Sequence, residues 1–373
     1  MLTGDQGLTS FIRQAIRQTG PVRFDWFMEQ ALYHPEFGYY SSGQCEIGRR
    51  GDYFTNVSVG PLFGRLLAEQ FAEIWEILGW PGDFTIVEQG AHHGEFAKDV
   101  LEAVRERAPD FFSILRYCVI EPFPILQARQ TERLHDFTEK VTWRKTVGDL
   151  EPFSGVHFSN ELLDSMPVRL ICREGDQWKE RCVAESGDRF TFVTREIGDE
   201  KLRRHLEKIP RPPEPPYETE VDLAALDWIE GVSRKLIRGF VLAVDYGYAR
   251  SEFYAAERAT GTLQCRAEHR VVSSPLVEIG RADITAHVEW TSIAERAKGS
   301  GLTLAGFADQ HHFITGLLSR FAPQESEGRA LQTLLHPELL GRRFQYLALG
   351  RNAPAEECLT GFHFSREAWK ALS

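Results

Sequence analysis

The chain has few of the residues that would mark it as disulfide-built, membrane-spanning or nucleic-acid-binding. Its six cysteines (45, 118, 172, 182, 265 and 358) are scattered over 373 residues. No C-x-x-C occurs, so neither a zinc ribbon nor a redox pair is expected. A reducing, cytoplasmic setting is the simplest for such free thiols, with a mitochondrial matrix the weaker expectation. No apolar run reaches the roughly 18 residues a membrane span needs. The first twenty residues lack the apolar core of a secretory signal and read as an amphipathic helix from Leu8 to Gln18. Positive charge is short too. Lys and Arg number 43 against 54 Asp and Glu, a formal net charge of −11. That balance argues against a general nucleic-acid binder and suits a cationic partner. The motifs H-E-x-x-H, G-x-S-x-G and G-x-x-x-x-G-K-[ST] are all missing. A zincin-type metal site, a hydrolase elbow and a P-loop therefore lack support, and no metal is expected.

What is present is an α/β pattern. β-branched or aromatic runs at Thr85–Glu88, Tyr117–Glu121, Val141–Arg144, Gly155–Ser159 and Phe240–Val244 alternate with helical periodicity, which predicts a doubly wound, mostly parallel sheet. Leu302–Phe307 and Arg343–Leu349 read as last, antiparallel strands. Residues 1–80 read as helical, with helices at Phe24–Leu32 and Pro61–Leu78. Segment 167–238 breaks the rhythm with hairpin-like alternation, a proline-rich stretch (Pro210–Pro216) and a helix over Val221–Leu236. The expected layout is a helical region over 1–80, a core of 81–166 with 239–350, an inserted α+β segment at 167–238, and a tail at 351–373.

Ligands of open parallel sheets bind at the carboxyl ends of the strands. The first strand ends in Glu88 and the turn Gly90-Ala91-His92-His93-Gly94, followed by a helix. Glycine lets such a turn fold tightly, and the helix start offers free N–H groups. The dinucleotide fingerprint G-x-G-x-x-G lacks its middle glycine here. A cofactor with a ribose and no phosphate, such as S-adenosylmethionine (SAM), fits the looser loop better than a pyrophosphate does. A nicotinamide-dependent oxidoreductase stays as the rival that the strand–turn–helix opening admits. Glu121, ending the second strand, can take two ribose hydroxyls. Asp149 follows the third strand and Thr55 stands in the loop Gly51–Asn56; both join Glu88, Gly90, His92, Gly94, Glu121 and Asn160 as candidate cofactor contacts. After the fourth strand come Asn160, Glu161 and Asp164, the candidate catalytic groups. A carboxylate there can hold a guanidinium or ammonium by charge-assisted hydrogen bonds. Each acid can equally serve as a helix cap or first-turn acid. Tyr53 and Phe54 can cover a cation or pack in the core. His287 reads more readily as a hydrogen-bonded core residue than as a ligand.

The segments FMEQALYHPEFGYY, GDYFTNVSVGPLFG, VEQGAHHGEFAKDVL, VIEPFPILQARQ, SNELLDSMPV, VLAVDYGY and DITAHVEW, in this order, resemble the MidA family of SAM-dependent methyltransferases. That family includes a mitochondrial complex-assembly factor that methylates a protein arginine. The resemblance implies a Rossmann-like class I methyltransferase fold. It also implies that Gly90 and Gly94 line the methionine side of SAM, that Glu121 binds ribose, and that Asn160 and Glu161 lie beside the transferring methyl. It further implies a protein substrate with an exposed arginine, and it admits a homodimer. The chain departs from the family's E-L-G-P-G-R-G, reading E-Q-G-A-H-H-G. His92 replaces the middle glycine and His93 a basic residue. That departure keeps open a second expectation, a degenerate methyltransferase fold acting as a binding or assembly factor.

Overall fold

The computed structural model describes residues 4–43, 55–210, 214, 216–267, 270–354, 358–365 and 367–372. The chain forms two compact units. One comprises 1–54, 163–226 and 248–289; the other comprises 55–162, 227–247 and 290–373.

The second unit is built on strands β1 (Phe84–Gln89), β2 (Leu115–Ile120), β3 (Val141–Arg144), β4 (Phe153–Asn160), β5 (Leu236–Tyr248), β6 (Thr303–Asp309) and β7 (Phe344–Arg351). Their spatial order is β6-β7-β5-β4-β1-β2-β3. The pairs from β5 to β3 are parallel, while β7 runs antiparallel to both β5 and β6. The central strands are covered on both faces, which is why they read as near-continuous apolar runs; Ile86, Val87, Val119, Val156, Phe158, Val241 and Leu242 are all fully buried. The helix Leu62–Ile77 turns Phe63, Leu66, Leu67, Phe71 and Ile74 inward. The helix Glu95–Arg107 joins it through Phe96, whose ring stacks on Phe158 of β4 at 4.5 Å, with Phe71 on Phe158 at 5.7 Å. These aromatics fix both helices against the strand that carries Asn160.

The first unit centres on an antiparallel sheet ordered 22–23, 177–186, 169–174, 217–221, with 189–196 paired to 177–186. The helices Gln6–Thr19 and Phe24–Tyr33 pack Leu8, Ile12, Phe24, Phe27 and Met28 with Leu170, Val183 and Phe190. The helix Glu200–Leu206 contributes Leu202 and Leu206 to a separate cluster with Ile171 and Val221. Leu170 and Ile171 are adjacent and so lie on opposite sheet faces. The stretch 1–80 is therefore shared out: its first two helices belong with the inserted sheet, and Leu62–Ile77 with the parallel sheet.

Around Val221 the structure corrects the sequence reading. Tyr217–Val221 is a strand, paired with Arg169–Arg173, and the helix begins only at Leu223. Tyr217, Thr219 and Val221 alternate as a strand should, and Asp222 stops the pattern by accepting from Ala225 N at 2.8 Å. The three hairpin strands and the last antiparallel pair form as expected, at Arg169–Glu174, Gln177–Ser186, Arg189–Glu196, Thr303–Asp309 and Phe344–Arg351.

Candidate functional site

The glycine turn lies at the carboxyl end of β1. Gly90 and Gly94 have φ of 86° and 83°, and between them His92 has φ of 46°. A Cβ on Gly90 would meet nothing closer than Leu162 at 3.6 Å, with the Asn160 carbonyl oxygen at 3.8 Å; on Gly94 it would meet Gln130 at 3.6 Å. Backbone conformation, not crowding, is what asks for glycine at both. The His92 ring stacks on His93 with centroids 3.7 Å apart, and Arg129 Nη1 lies 2.8 Å from His93 Nε2. The bulk brought into the turn by two histidines is thus accommodated ring on ring. Among the described residues, His92, His93 and Glu95 bring side-chain donor atoms within 4.8 Å of one another. Protein cations already meet this group, Arg129 at His93 and Arg133 at Glu95, the latter at 3.0 Å.

The second strand end is organised by Gln130, which is fully buried. Its Nε2 donates to Glu121 Oε2 at 2.9 Å and to the His92 carbonyl at 2.8 Å, while its Oε1 accepts from Trp143 Nε1 at 3.0 Å. Glu121 Oε1 accepts from Phe123 N at 2.9 Å. Burial raises the Glu121 carboxyl to about 7, against the two hydrogen bonds that favour its charged form. One amide therefore ties the glycine turn to the candidate ribose acceptor. Glu88 is also buried and accepts from the Tyr117 hydroxyl at 2.7 Å; burial raises it to about 8.

At the end of β4, Asn160 Nδ2 donates to Glu161 Oε1 at 2.8 Å, and Asn160 Oδ1 accepts from Asn56 Nδ2 at 3.1 Å. Glu161 has a left-handed φ of 53°, pinned by its N–H to the Val244 carbonyl at 2.9 Å. A non-glycine residue held there costs on the order of 1–3 kcal/mol, and such strain concentrates at functional sites. Thr55 is buried with its hydroxyl committed to the turn, 2.9 Å from Ser58 Oγ and accepting from Ser58 N at 3.2 Å. Asp149 is exposed and closes a capping box with Thr146, accepting from its N at 3.0 Å and its hydroxyl at 2.8 Å.

Asp164 belongs to the first unit, where it is buried and its carbonyl accepts from Ala286 N at 2.8 Å. Nearby, the Tyr33 hydroxyl donates to Ser165, 2.8 Å from its Oγ, and Tyr40 donates to Asp283 Oδ1 at 2.6 Å. Burial raises the Tyr33 phenol, and the charges of Asp283, Asp164 and Asp222 push it the same way. Three of the motif segments, FMEQALYHPEFGYY, SNELLDSMPV and DITAHVEW, therefore interlock here. His287 stacks on Tyr248 at 5.2 Å, and the Arg258 guanidinium covers that tyrosine at 3.7 Å. Burial lowers the His287 imidazole. Tyr53 and Phe54 lie outside the described residues.

The sequence reading passed over Gln130 and Asn56. Both stand inside quoted motif segments, VIEPFPILQARQ and GDYFTNVSVGPLFG; Asn56 directly follows the candidate Thr55, and Gln130 stands nine residues after Glu121.

The strand order, with β7 antiparallel to its neighbours and a glycine turn and acid at adjacent strand ends, defines a Rossmann-like class I SAM-dependent methyltransferase fold. Residues 66–308 match the family model described as putative S-adenosyl-L-methionine-dependent methyltransferase, and the chain belongs to that family. A superfamily member from Burkholderia thailandensis, described as a likely methyl transferase and crystallised bound to S-adenosyl-homocysteine, is 31% identical; the match has a TM-score of 0.88 and covers 98% of this chain and 96% of that one. The chain is also similar to mitochondrial protein arginine methyltransferases. It is 25% identical to the NDUFAF7 homolog of Drosophila melanogaster, over 93% of this chain and 85% of that protein. It is 24% identical to human NDUFAF7, over 90% and 81%.

The cofactor is SAM, and the residues present fit it. Gly90 and Gly94 leave the two ends of the turn without side chains, Glu121 presents a braced carboxylate, and Asn56 holds a buried amide oxygen with no donor among the described residues.

Proposed function

We propose that this chain methylates a nitrogen of a protein arginine. The observation that carries the reading is Glu161, held in a strained conformation by the Val244 carbonyl and linked by hydrogen bonds through Asn160 to Asn56. SAM supplies an electrophilic methyl on its sulfonium. The task left to the protein is alignment and charge placement, for which proximity alone can supply roughly 7–11 kcal/mol. A guanidinium, with a pKa above about 12, arrives charged. The Glu161 carboxylate orients it by charge-assisted hydrogen bonds and stabilises the charge as it redistributes. No strong base is required, because the proton can leave after the methyl has moved. Two further points support a basic acceptor: the net charge of −11, and the acids Asp164, Asp222 and Asp283 set about Tyr33 in the first unit. The NDUFAF7 proteins, named as arginine methyltransferases, favour arginine over other nitrogens.

The test is methylation of candidate proteins with labelled SAM, read by mass spectrometry for methylarginine. Glu161→Gln keeps the shape and removes the charge, and kcat is expected to fall by about 10²-fold. Full turnover by this variant would sink the assigned role. The second reading, a degenerate fold that serves in assembly, rests on His92. Its signature would be SAM binding by a His92→Gly variant and none by the wild type.

A further inference from the structure

The Asn56–Asn160–Glu161 relay has a direction, and the direction leaves one atom unexplained. A carboxylate only accepts hydrogen bonds, so Asn160 must turn its NH2 towards Glu161 and its carbonyl oxygen towards Asn56. Asn56 must then present its own NH2 to Asn160. Its Oδ1 is left over, and it is a fully buried acceptor for which no donor stands among the described residues. Buried amide oxygens are almost always satisfied. The relay also sits at the cofactor's strand ends. The Asn160 carbonyl lies 3.8 Å from where a Cβ on Gly90 would stand, so Asn160 borders the glycine turn. The carboxylate at the far end of the relay makes this neighbourhood favour a cation over a neutral donor.

We propose that Asn56 Oδ1 is a ligand contact that accepts a hydrogen bond from an N–H of a cationic group bound in the site. Two nitrogens have this chemistry. One is the α-ammonium of the cofactor's amino-acid end; the other is the nitrogen positioned beside the transferring methyl. The inference rests on the methyltransferase assignment and not on arginine as the acceptor.

Three probes separate the sources. S-adenosylhomocysteine carries the α-ammonium alone. Sinefungin carries it together with an amine in place of the transferring methyl. Methylthioadenosine carries neither. Each would be titrated calorimetrically into the full-length wild type and Asn56→Leu. The variant is expected to bind sinefungin at least tenfold more weakly and methylthioadenosine unchanged. If S-adenosylhomocysteine weakens in step with sinefungin, the α-ammonium is the donor; if it holds, the donor is the nitrogen at the methyl position. Unchanged binding of both amino-bearing ligands, or equal weakening of all three, overturns the proposal. If Asn56→Leu shows no cooperative melt, a crystal structure of the wild type with sinefungin decides. A ligand nitrogen within about 3.2 Å of Asn56 Oδ1 supports the contact; a water there, or no ligand nitrogen, overturns it. A wild type that binds none of the three refutes the methyltransferase assignment itself, a result distinct from all of these.

Discussion

At the residue scale, two buried carboxyls set the pH behaviour. Glu88, raised to about 8 by burial, keeps its proton in the folded chain, while an unfolded chain would release it near the ordinary 4.5. The folded state binds more protons between those values. Glu88 therefore contributes stability that is fully present below about pH 4.5 and is lost as pH rises through about 8. Glu88→Gln keeps an acceptor for the Tyr117 hydroxyl and cannot ionise, so its melting temperature is expected to fall less than the wild type's between pH 6 and about 9. Parallel declines would refute the assignment. Glu121 carries the functional counterpart. Burial raises it to about 7, and ribose hydroxyls, being donors, favour the ionised form. Affinity for S-adenosylhomocysteine should strengthen as pH rises through about 7 and then level off, and Glu121→Gln should bind weakly with no such step. A pH-independent wild type would remove Glu121 from the ribose. Both acids were legible in the sequence, because an acid closing an apolar strand stands out. The neutral amides were not. Asn56 meets Asn160 across 104 positions, and Gln130 meets Glu121 across nine, so neither leaves a charge or periodicity signal.

At the scale of elements, Arg169 ties its own strand to three others inside the first unit. It is buried on the strand Arg169–Glu174, with Glu180 at 2.5 Å on the adjacent strand and Asp199, the N-cap of Glu200–Leu206, at 3.0 Å. Asp25, in the first turn of Phe24–Tyr33, lies 3.8 Å away. Removing one partner of a buried pair strands the other charge, which costs about 3–5 kcal/mol. Arg169→Leu should lower unfolding stability by that order in a urea titration, and Arg169→Leu with Glu180→Leu should recover a large part. A single variant as stable as wild type would show that the cluster contributes little. None of this was readable from the chain, since a lone arginine in a strand looks like an outward-facing charge. The strands were readable where burial on both faces makes them apolar throughout, and their ends were not. β5 runs over Leu236–Tyr248, well beyond the expected Phe240–Val244; its opening residues include Arg238 and Gly239, which carry no strand signal, and a register shift against β4 falls between Leu236 and Arg238. Residues 217–220 fall between the proline-rich stretch and the helix expected from Val221, since polar Glu218 and Glu220 break up the apolar run that would mark a strand. Glu220 in fact points inward, where its carboxylate accepts from Thr262 N at 2.9 Å and Leu263 N at 3.1 Å.

At the scale of the whole molecule, charge is the property that the sequence states most directly and that contacts do not explain. Surface ion pairs neutralise some of it, yet 54 acids against 43 bases leave an excess that no internal pairing can cancel. Such a field attracts a basic substrate over distances set by the Debye length, about 10 Å at 0.1 M salt and about 3 Å at 1 M. Steering of this kind acts on encounter and leaves the chemical step alone. If the acceptor is an arginine in a basic stretch of a protein, kcat/KM for an arginine-rich peptide should fall by about tenfold between 50 and 500 mM salt, with kcat held nearly constant. S-adenosylhomocysteine carries no net charge, so its affinity should change little over the same range and serves as the control for general salt damage. A salt-insensitive kcat/KM would mean that the acidic excess is solvated surface with no part in selecting the substrate. Recognition would then rest on contacts close to the Glu161 carboxylate, and a neutral or small-molecule acceptor would become the better reading.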